Sequence, residues 1–417
     1  MGRTIAEKIL SKKAGVEAKA GEIVIAPIDL VFTHDVSGPL SIRLIKETGR
    51  KLANPRASLF FLDHCTPSPR AELSNDQMLL RNFAKEQGSP LYEIGDGICH
   101  QLTGEEWASP GDIICGGDSH STTGGALCAF STGMGSTDIA MAMVLGKTWL
   151  RVPETFLVKV NGQFPRGVYG KDLVLHLIGL LGADGATYKS LEFDGDAVKT
   201  MSMSQRLTVA NMAVEAGAKV GLFPSDDITK EYLKAQGRGD RYQSLCSDPD
   251  AVFERVIEID ARKMAPMVAK PHKVDNSAPV SEVEGTKIHQ VFIGSCTNAR
   301  LEDLAVAAGI LNGKKVHRQT RLIVVPASRT VYLEAMDKGY ISTLVKAGAA
   351  VESPNCAACA GVHMGILGDG EVCLSTTNRN FKGRMGNPKS FVYLANPATA
   401  AASAITGEIT NPQKFLL

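Results

Sequence analysis

The sequence predicts an α/β protein built as three domains, and three observations lead there. At 417 residues the chain exceeds one ordinary domain and has ample material for several cores. Short apolar runs alternate with helical periodicity over the first third, and again from about residue 288 onward, as in parallel or mixed sheets wrapped by helices. The polar residues able to do chemistry follow the apolar runs. Leu59-Phe-Phe-Leu precedes Asp63-His64, Ile113-Ile114 precedes Gly116-Gly-Asp-Ser-His120, and Val372-Cys-Leu precedes Asn378-Arg-Asn-Phe-Lys-Gly-Arg384. Open α/β sheets bind ligands beyond the carboxyl ends of their strands, so this placement is what an active site produces.

Taken in order, the opening segment 1–10 has the spacing of a short amphipathic helix and lacks the apolar block of a signal peptide. Ala6 stands where myristoylation needs Ser or Thr. The first domain is expected over 1–152 and carries the Asp-His and Gly-Asp-Ser-His turns. Val152-Pro153 opens a second, 153–270, with a strand at 156–160 and a helix at 172–181. A further helical segment, 209–218, places Asn211 and Glu215 at i and i+4 on one face. Residues 269–287 are rich in Lys, Pro, Ser and Val without periodicity and read as a linker. The third domain, 271–417 with that linker, repeats the strand–helix alternation. There is no internal repeat, low-complexity tract or heptad run.

Composition narrows the function classes. Lys+Arg total 45 against 44 Asp+Glu, a formal charge of +1, so no whole-chain field recruits nucleic acid or an anionic membrane. An anionic substrate needs a local arginine cluster instead. No apolar stretch has the length of a membrane span. Nine cysteines, an odd number without a secretion signal, argue for a reducing compartment, read here as the cytoplasm.

Three of those cysteines arrive where an apolar run gives way to a turn of small residues, in Val291-Phe-Ile-Gly-Ser-Cys296-Thr-Asn and Val351-Glu-Ser-Pro-Asn-Cys356-Ala-Ala-Cys359. By itself Cys356-x-x-Cys359 fits a redox dithiol, half a zinc site or two buried small residues. Cys296 in a matching strand-end turn adds a third thiol able to approach the same point. Thiolates are the ligands of iron–sulfur clusters, and three of them leave one iron of a cubane open for Lewis-acid chemistry. The other six cysteines lack such a setting; most read as core, with Cys65, Cys99 and Cys115 near candidate catalytic groups.

Asp63-His64, His100 and Asp118-Ser119-His120 form a second constellation, because a carboxylate beside an imidazole fixes its tautomer and raises its basicity. Arg379 and Arg384 present two guanidinium forks in one glycine-containing loop, suited to a carboxylate or phosphate. Gly133-Met-Gly-Ser-Thr-Asp138 does not complete a dinucleotide fingerprint, and neither a Walker motif nor H-E-x-x-H nor G-x-S-x-G occurs.

These segments together resemble the aconitase superfamily, in family order and over nearly the whole chain: the Asp-His pair, the Gly-Asp-Ser-His turn, the Asn-x-x-x-Glu helix, both cysteine segments, and the Asn-Arg-Asn-Phe-x-Gly-Arg loop. The compact length is most similar to the large subunits of the isopropylmalate dehydratase and homoaconitase group. The resemblance implies three aconitase-type domains around a central iron–sulfur cleft, with one [4Fe–4S] cluster on Cys296, Cys356 and Cys359 and with Asn211 and Asn378 contacting it. It implies that His64, paired with Asp63, protonates the departing hydroxyl. Asp118 with His100, and His120 with Glu215, would surround the iron-bound oxygens, and Ser119, Arg379 and Arg384 would bind substrate carboxylate. Longer members carry a glutamine in the early segment, where this chain reads Pro27-Ile28-Asp29.

The implied activity is a hydro-lyase reaction on a hydroxy-di- or tricarboxylate, first the isomerisation of 2-isopropylmalate to 3-isopropylmalate in leucine biosynthesis. Homoaconitate hydration and dehydration of another alkylmalate such as dimethylmalate are the alternatives. An iron-sensing or electron-transfer protein is the rival from a different class. The family's base serine lies in a swivelling domain that has no counterpart before Leu417. A small subunit carrying it is therefore expected, in a heterodimer or heterotetramer.

Overall fold

The computed structural model describes residues 2–416. Met1, the first residue of the segment expected as an amphipathic helix, and Leu417 lie outside the described residues. The helix itself runs Ile5–Ala14. Thr4 and Glu7 close a capping box at its start, and Gly15 at φ 69° ends it. Its Ile5, Ile9 and Leu10 are buried, the helical spacing of one apolar face.

Three sheets organise the chain. A five-stranded parallel sheet has the order β4-β3-β2-β5-β6, with β2 Leu30–His34, β3 Ser58–Phe61, β4 Leu91–Tyr92, β5 Ile113–Gly116 and β6 Phe130–Gly133. A small antiparallel pair, β1 Ile23–Pro27 with β7 Lys147–Arg151, flanks it. A four-stranded parallel sheet, β10-β9-β8-β11, uses β8 Thr155–Asn161, β9 Ser190–Asp194, β10 Val220–Leu222 and β11 Arg255–Asp260. The seven-stranded sheet has the order β13-β12-β18-β17-β14-β15-β16. Its strands are β12 Met267–Ala269, β13 Ser277–Pro279, β14 Gln290–Ile293, β15 Arg321–Val324, β16 Ala349–Val351, β17 Val372–Ser375 and β18 Phe391–Ala395. Strands β2, β3, β5 and β14 are buried on both faces, which is why they read in the sequence as continuous apolar runs rather than alternations.

Two expectations change. The stretch read as a linker supplies β13, which pairs antiparallel with β12 and forms the sheet's edge. Its Pro279 is tolerated because an edge strand has backbone positions that no ladder requires. The helix expected at 209–218 is the end of an α-helix, Met203–Met212, followed by a 3-10 turn, Ala213–Ala216. Asn211 and Glu215 therefore sit on different helical types, and the tighter turn re-aims Glu215 relative to a continuous helix.

The order of strands decides where a ligand can sit. In the five-stranded sheet the winding reverses between β2 and β5, and in the seven-stranded sheet between β14 and β17. At such switch points the loops leave in opposite directions and open a crevice at the carboxyl edge. Both crevices carry the residues singled out in the sequence. One apolar core runs from Leu30, Phe32 and Leu59 through Phe193 and Leu207 to Phe292 and Leu394, so all three sheets share a common interior. No helix among the described residues is long and apolar enough to cross a membrane.

Arg300, at the start of the helix Leu301–Leu311, is 3 % exposed. Its Nε donates to Gln101 Oε1 at 2.8 Å, Nη1 to Thr297 O at 2.8 Å and Thr208 Oγ1 at 3.2 Å, and Nη2 to Cys296 O at 2.5 Å. A single guanidinium thus joins a residue before β5, the helix Met203–Met212 and the turn after β14. Replacing Arg300 with Met leaves several buried oxygens without donors, each at a cost of about 1–3 kcal/mol. The expected outcome is a loss of at least about 3 kcal/mol of stability, read as a lowered urea midpoint.

Candidate active site

The turns at the two carboxyl edges need unusual backbone. A Cβ on Gly116 would lie 2.0 Å from Ser121 Oγ and 2.3 Å from the Phe32 ring, so only glycine lets β5 pass into the Asp118 turn. Ser295 and Ala357, beside Cys296 and Cys356, hold positive φ of 72° and 46°, an energetic cost that packed surroundings must enforce. Backbone strain of this kind clusters where side chains are aimed for function.

On the first edge, Asp63 is fully buried after β3 and its Oδ1 lies 2.8 Å from His64 Nδ1. Its Oδ2 accepts from Cys99 N at 2.7 Å. Burial opposes ionisation of Asp63, but the charge and hydrogen bond of His64 outweigh it and hold the carboxyl well below its usual range. Burial likewise disfavours the charged His64, yet Asp63 and the neighbouring Cys356 raise its pKa well above that of an ordinary imidazole. Each partner thus favours the charged form of the other.

Asp118 follows β5 and gathers two more histidines. Its Oδ1 lies 2.8 Å from His100 Nε2 and accepts from His120 N at 2.7 Å. Despite burial, these partners keep Asp118 ionised far below its ordinary range. His120 Nε2 sits 2.7 Å from Glu215 Oε1, which also accepts from Arg379 Nε at 2.7 Å. Glu215 is accordingly held low against its burial by His120 and Arg379. Arg379 is thereby oriented by a carboxylate, leaving its remaining nitrogens for another anion.

On the second edge lie the three cysteines, each about 4 % exposed, with Asn378 set between Cys296 and Cys359. Asn211 Nδ2 reaches Cys296 Sγ at 3.2 Å, and Asn378 Nδ2 lies 3.0 Å from Asn211 Oδ1 and 3.7 Å from Cys296 Sγ. Cys359 Sγ stands 3.7 Å from Asn378 Oδ1 and 3.6 Å from Arg384 Nη2. Cys356 N donates to Asp63 O at 2.8 Å, which ties the cysteine loop to the histidine turn. Burial pushes the Cys296 thiol up to about 12 and the Cys356 thiol higher still. Thiols so placed ionise only with a cation to coordinate, and the surrounding amide and guanidinium donors favour sulfur that is charged. The donor set fits a soft metal or an iron–sulfur cluster.

Of the residues named from the sequence, only Ser119 stands partly apart: it lines a cleft of about 390 Å³ with Thr132, Gly133, Thr187 and Lys219, whose walls include none of the cysteines or site arginines. Cys65 and Cys99 lie beside the site through their backbone amides, which donate to Asp35 Oδ2 and Asp63 Oδ2. Cys246 is exposed rather than core.

Two residues escaped the sequence reading. His34 ends β2, and its ring stacks on His64 with centroids 3.9 Å apart and an interplanar angle of 15°. Asp35 accepts from His64 N at 3.0 Å and Cys65 N at 2.9 Å, fixing that turn. The signal was present, since Leu30-Val-Phe-Thr precedes His34-Asp35 as other apolar runs precede the other pairs. Asp29, where the early segment was compared with longer family members, instead precedes β2, bonded to Lys13 and Ile113 N at the opposite end of the strand.

His34 Nε2 is buried without a hydrogen-bond partner and lies 3.8 Å from Asp118 Oδ2. Burial, with His64 adjacent, lowers its pKa to about 3. In the unfolded chain an imidazole titrates near 6.5. The unfolded state therefore binds the extra proton first as pH falls, and the stability His34 contributes as a neutral ring is full above about 6.5 and lost toward 3. His34→Gln is expected to unfold at lower pH than the unsubstituted chain after normalising both at pH 7.5, as read by acid titration of circular dichroism.

The model of the aconitase family (aconitate hydratase) matches residues 7–285 and 281–407. The chain is 56 % identical over 417 residues to the 3-isopropylmalate dehydratase large subunit of Elusimicrobium minutum, covering all of both chains. It is 54 % identical to the 3-isopropylmalate dehydratase large subunit 2 of Archaeoglobus fulgidus, over 416 residues, and to large subunit 1 of Thermotoga maritima, over 418, again covering all of each. Mixed α/β architecture, the convergent cysteines and this full-length similarity lead to one conclusion: the chain belongs to the aconitase family.

Proposed function

We propose that this chain is the large subunit of a [4Fe–4S] hydro-lyase that interconverts 2-isopropylmalate and 3-isopropylmalate. What supports this reading most is a segment of buried cysteines tied by Cys356 N to Asp63 O, beside the Asp63–His64, His100–Asp118 and His120–Glu215 pairs. Aconitase-family hydro-lyases are iron–sulfur enzymes, and relatives of equal length bear the 3-isopropylmalate dehydratase name. An electron carrier has no use for an arginine loop and three histidine–carboxylate pairs, which disfavours the rival class.

The chemistry asks for three things. Hydroxide is a poor leaving group, so its oxygen must be polarised and protonated while a proton leaves the neighbouring carbon. When bound on Cys296, Cys356 and Cys359, the cluster supplies an open iron that withdraws charge from that oxygen. His64, kept protonated by Asp63, is the acid that delivers a proton to the departing hydroxyl, with His34 stacked behind it to fix the ring plane. Asp118 and Glu215 hold His100 and His120 for hydrogen bonds to the hydroxyl and to water. Arg384, with Arg379 oriented by Glu215, takes the substrate carboxylates, and Ser119 contributes through the Asp118 turn. Asn211 and Asn378 direct their amide donors at Cys296 Sγ, one of the sulfurs that would hold the cluster. Readdition of water to the adjacent carbon of the resulting alkene completes the exchange of hydroxyl and hydrogen.

The base for the carbon-bound proton is assigned to a small subunit that closes over the crevice, a reading supported by the large-subunit names of the relatives. Its pocket would also select the isopropyl group. The deciding experiment is anaerobic reconstitution with iron, sulfide and the cognate small subunit, followed by a panel of 2-isopropylmalate, homocitrate, dimethylmalate and citrate. Turnover of 2-isopropylmalate well above the others is expected, with negligible activity from the large subunit alone. Preference for homocitrate, or full activity without a partner, would sink the assignment.

Single substitutions separate the roles. His64→Ala is expected to lower kcat by about 10²–10⁴-fold with little change in KM, because general acid catalysis is worth that much. Arg384→Lys replaces a fork with a point charge and is expected mainly to raise KM. Steady-state kinetics of the reconstituted enzyme measure both.

A further inference from the structure

Lys171 is fully buried, and none of the roles above uses it. It sits in the first turn of the helix Gly170–Leu181, where the helix dipole disfavours a cation. Its Nζ donates to Thr376 O at 2.9 Å and Thr377 O at 2.5 Å, the two carbonyls just before Asn378-Arg379. Among the described residues no carboxylate lies within ion-pair distance of it.

The carboxylates nearby are committed elsewhere. Both oxygens of Asp172 are taken by Tyr169 N, Met267 N and the Asn396 amide, and burial raises this carboxyl to about 7. Asp303 is held by Arg300 N and Asn298 Nδ2 and is raised by burial to about 6. The remaining groups near it that metal binding would make negative are the thiols of Cys359 and Cys296, and Asn378, the residue after Thr377, lies 3.7 Å from each of their sulfurs. Burial lowers Lys171 to about 7, so in the metal-free chain its charge is poorly compensated.

We infer that Lys171 is the buried counter-cation of the cysteine centre, a positioning residue whose ammonium balances the thiolate charge from behind while its hydrogen bonds hold the turn that presents Asn378 and Arg379. This rests on the cluster reading above. A cubane on three thiolates carries net negative charge, and a fixed ammonium in a medium of low dielectric favours its retention. The two carbonyls alone could be served by any donor; the charge is what the centre requires.

The test uses the full chain carrying Lys171→Met, Lys171→Gln or Lys171→Arg, each loaded anaerobically with ferrous iron and sulfide. Two quantities are read: the rate of iron release to a chelator, and the rise in melting temperature on loading. Met and Gln variants are expected to release iron about 10- to 100-fold faster than the unsubstituted chain, the usual consequence of losing a group that supports metal ligands. Their stabilisation on loading should shrink, whereas Arg retains both properties. If Gln matches the unsubstituted chain, hydrogen bonding suffices and the inference is overturned. Equal destabilisation of loaded and unloaded Met and Gln variants, with unchanged iron release, would overturn it as a merely structural role. Should Met fail to fold, the comparison of Gln with Arg decides alone. An unsubstituted chain that takes up no iron would overturn the cluster reading, and this one with it, before any variant is compared.

Discussion

The site depends on one buried guanidinium. Arg300 carries a charge where water cannot reach it, and such a charge is tolerable only if its N–H groups are satisfied. Its acceptors belong to three separate parts of the chain: Gln101 beside His100, Thr208 on the helix that carries Asn211, and the backbone of Cys296 and Thr297. Satisfying the guanidinium therefore fixes the distance between the histidine turns and the sulfur centre. The backbone bond from Cys356 to Asp63 does the same from the other side. Catalytic groups drawn from separate sheets need such cross-links, because a displacement of an ångström between reacting groups removes much of the benefit of positioning.

Charge is arranged in two layers around the crevice. Facing it are carboxylates that remain ionised although buried, each because a histidine or arginine is within hydrogen-bond distance. Near the thiols stand cations: Arg300 on the backbone oxygens of Cys296 and Thr297, Lys171 on those of Thr376 and Thr377, and Arg384 at 3.6 Å from Cys359 Sγ. His34 belongs to neither layer: neutral and stacked on His64, it limits that ring's rotation without adding charge beside an acid.

Much of this was legible in the sequence wherever the physics was local. Parallel strands buried on both faces must be continuous apolar runs, so β3, β5 and β14 are legible as such, and the turns after them mark the carboxyl edges. The run Leu30-Val-Phe-Thr before His34-Asp35 carries the same signal, as β2. The Lys-, Pro- and Ser-rich stretch read as a linker because a three-residue edge strand has too few positions to show alternation; pairing with β12 makes β13. Asn211 and Glu215, expected on one face of one helix, sit on an α-helix and on the 3-10 turn that follows it.

The sequence by itself determined the α/β class and the chemical inventory: three strand-end cysteines, the histidine–carboxylate pairs and the arginine loop. Each follows from residue type and short-range spacing, which the chain carries explicitly. Only the tertiary structure decided which members of that inventory meet, that Glu215 bridges His120 and Arg379, and that Arg300 and Lys171 are buried. A lysine or arginine at a helix start looks solvated in sequence. Its burial becomes visible only when strand order brings distant carbonyls and thiols around it, because charge compensation acts through space and not along the chain.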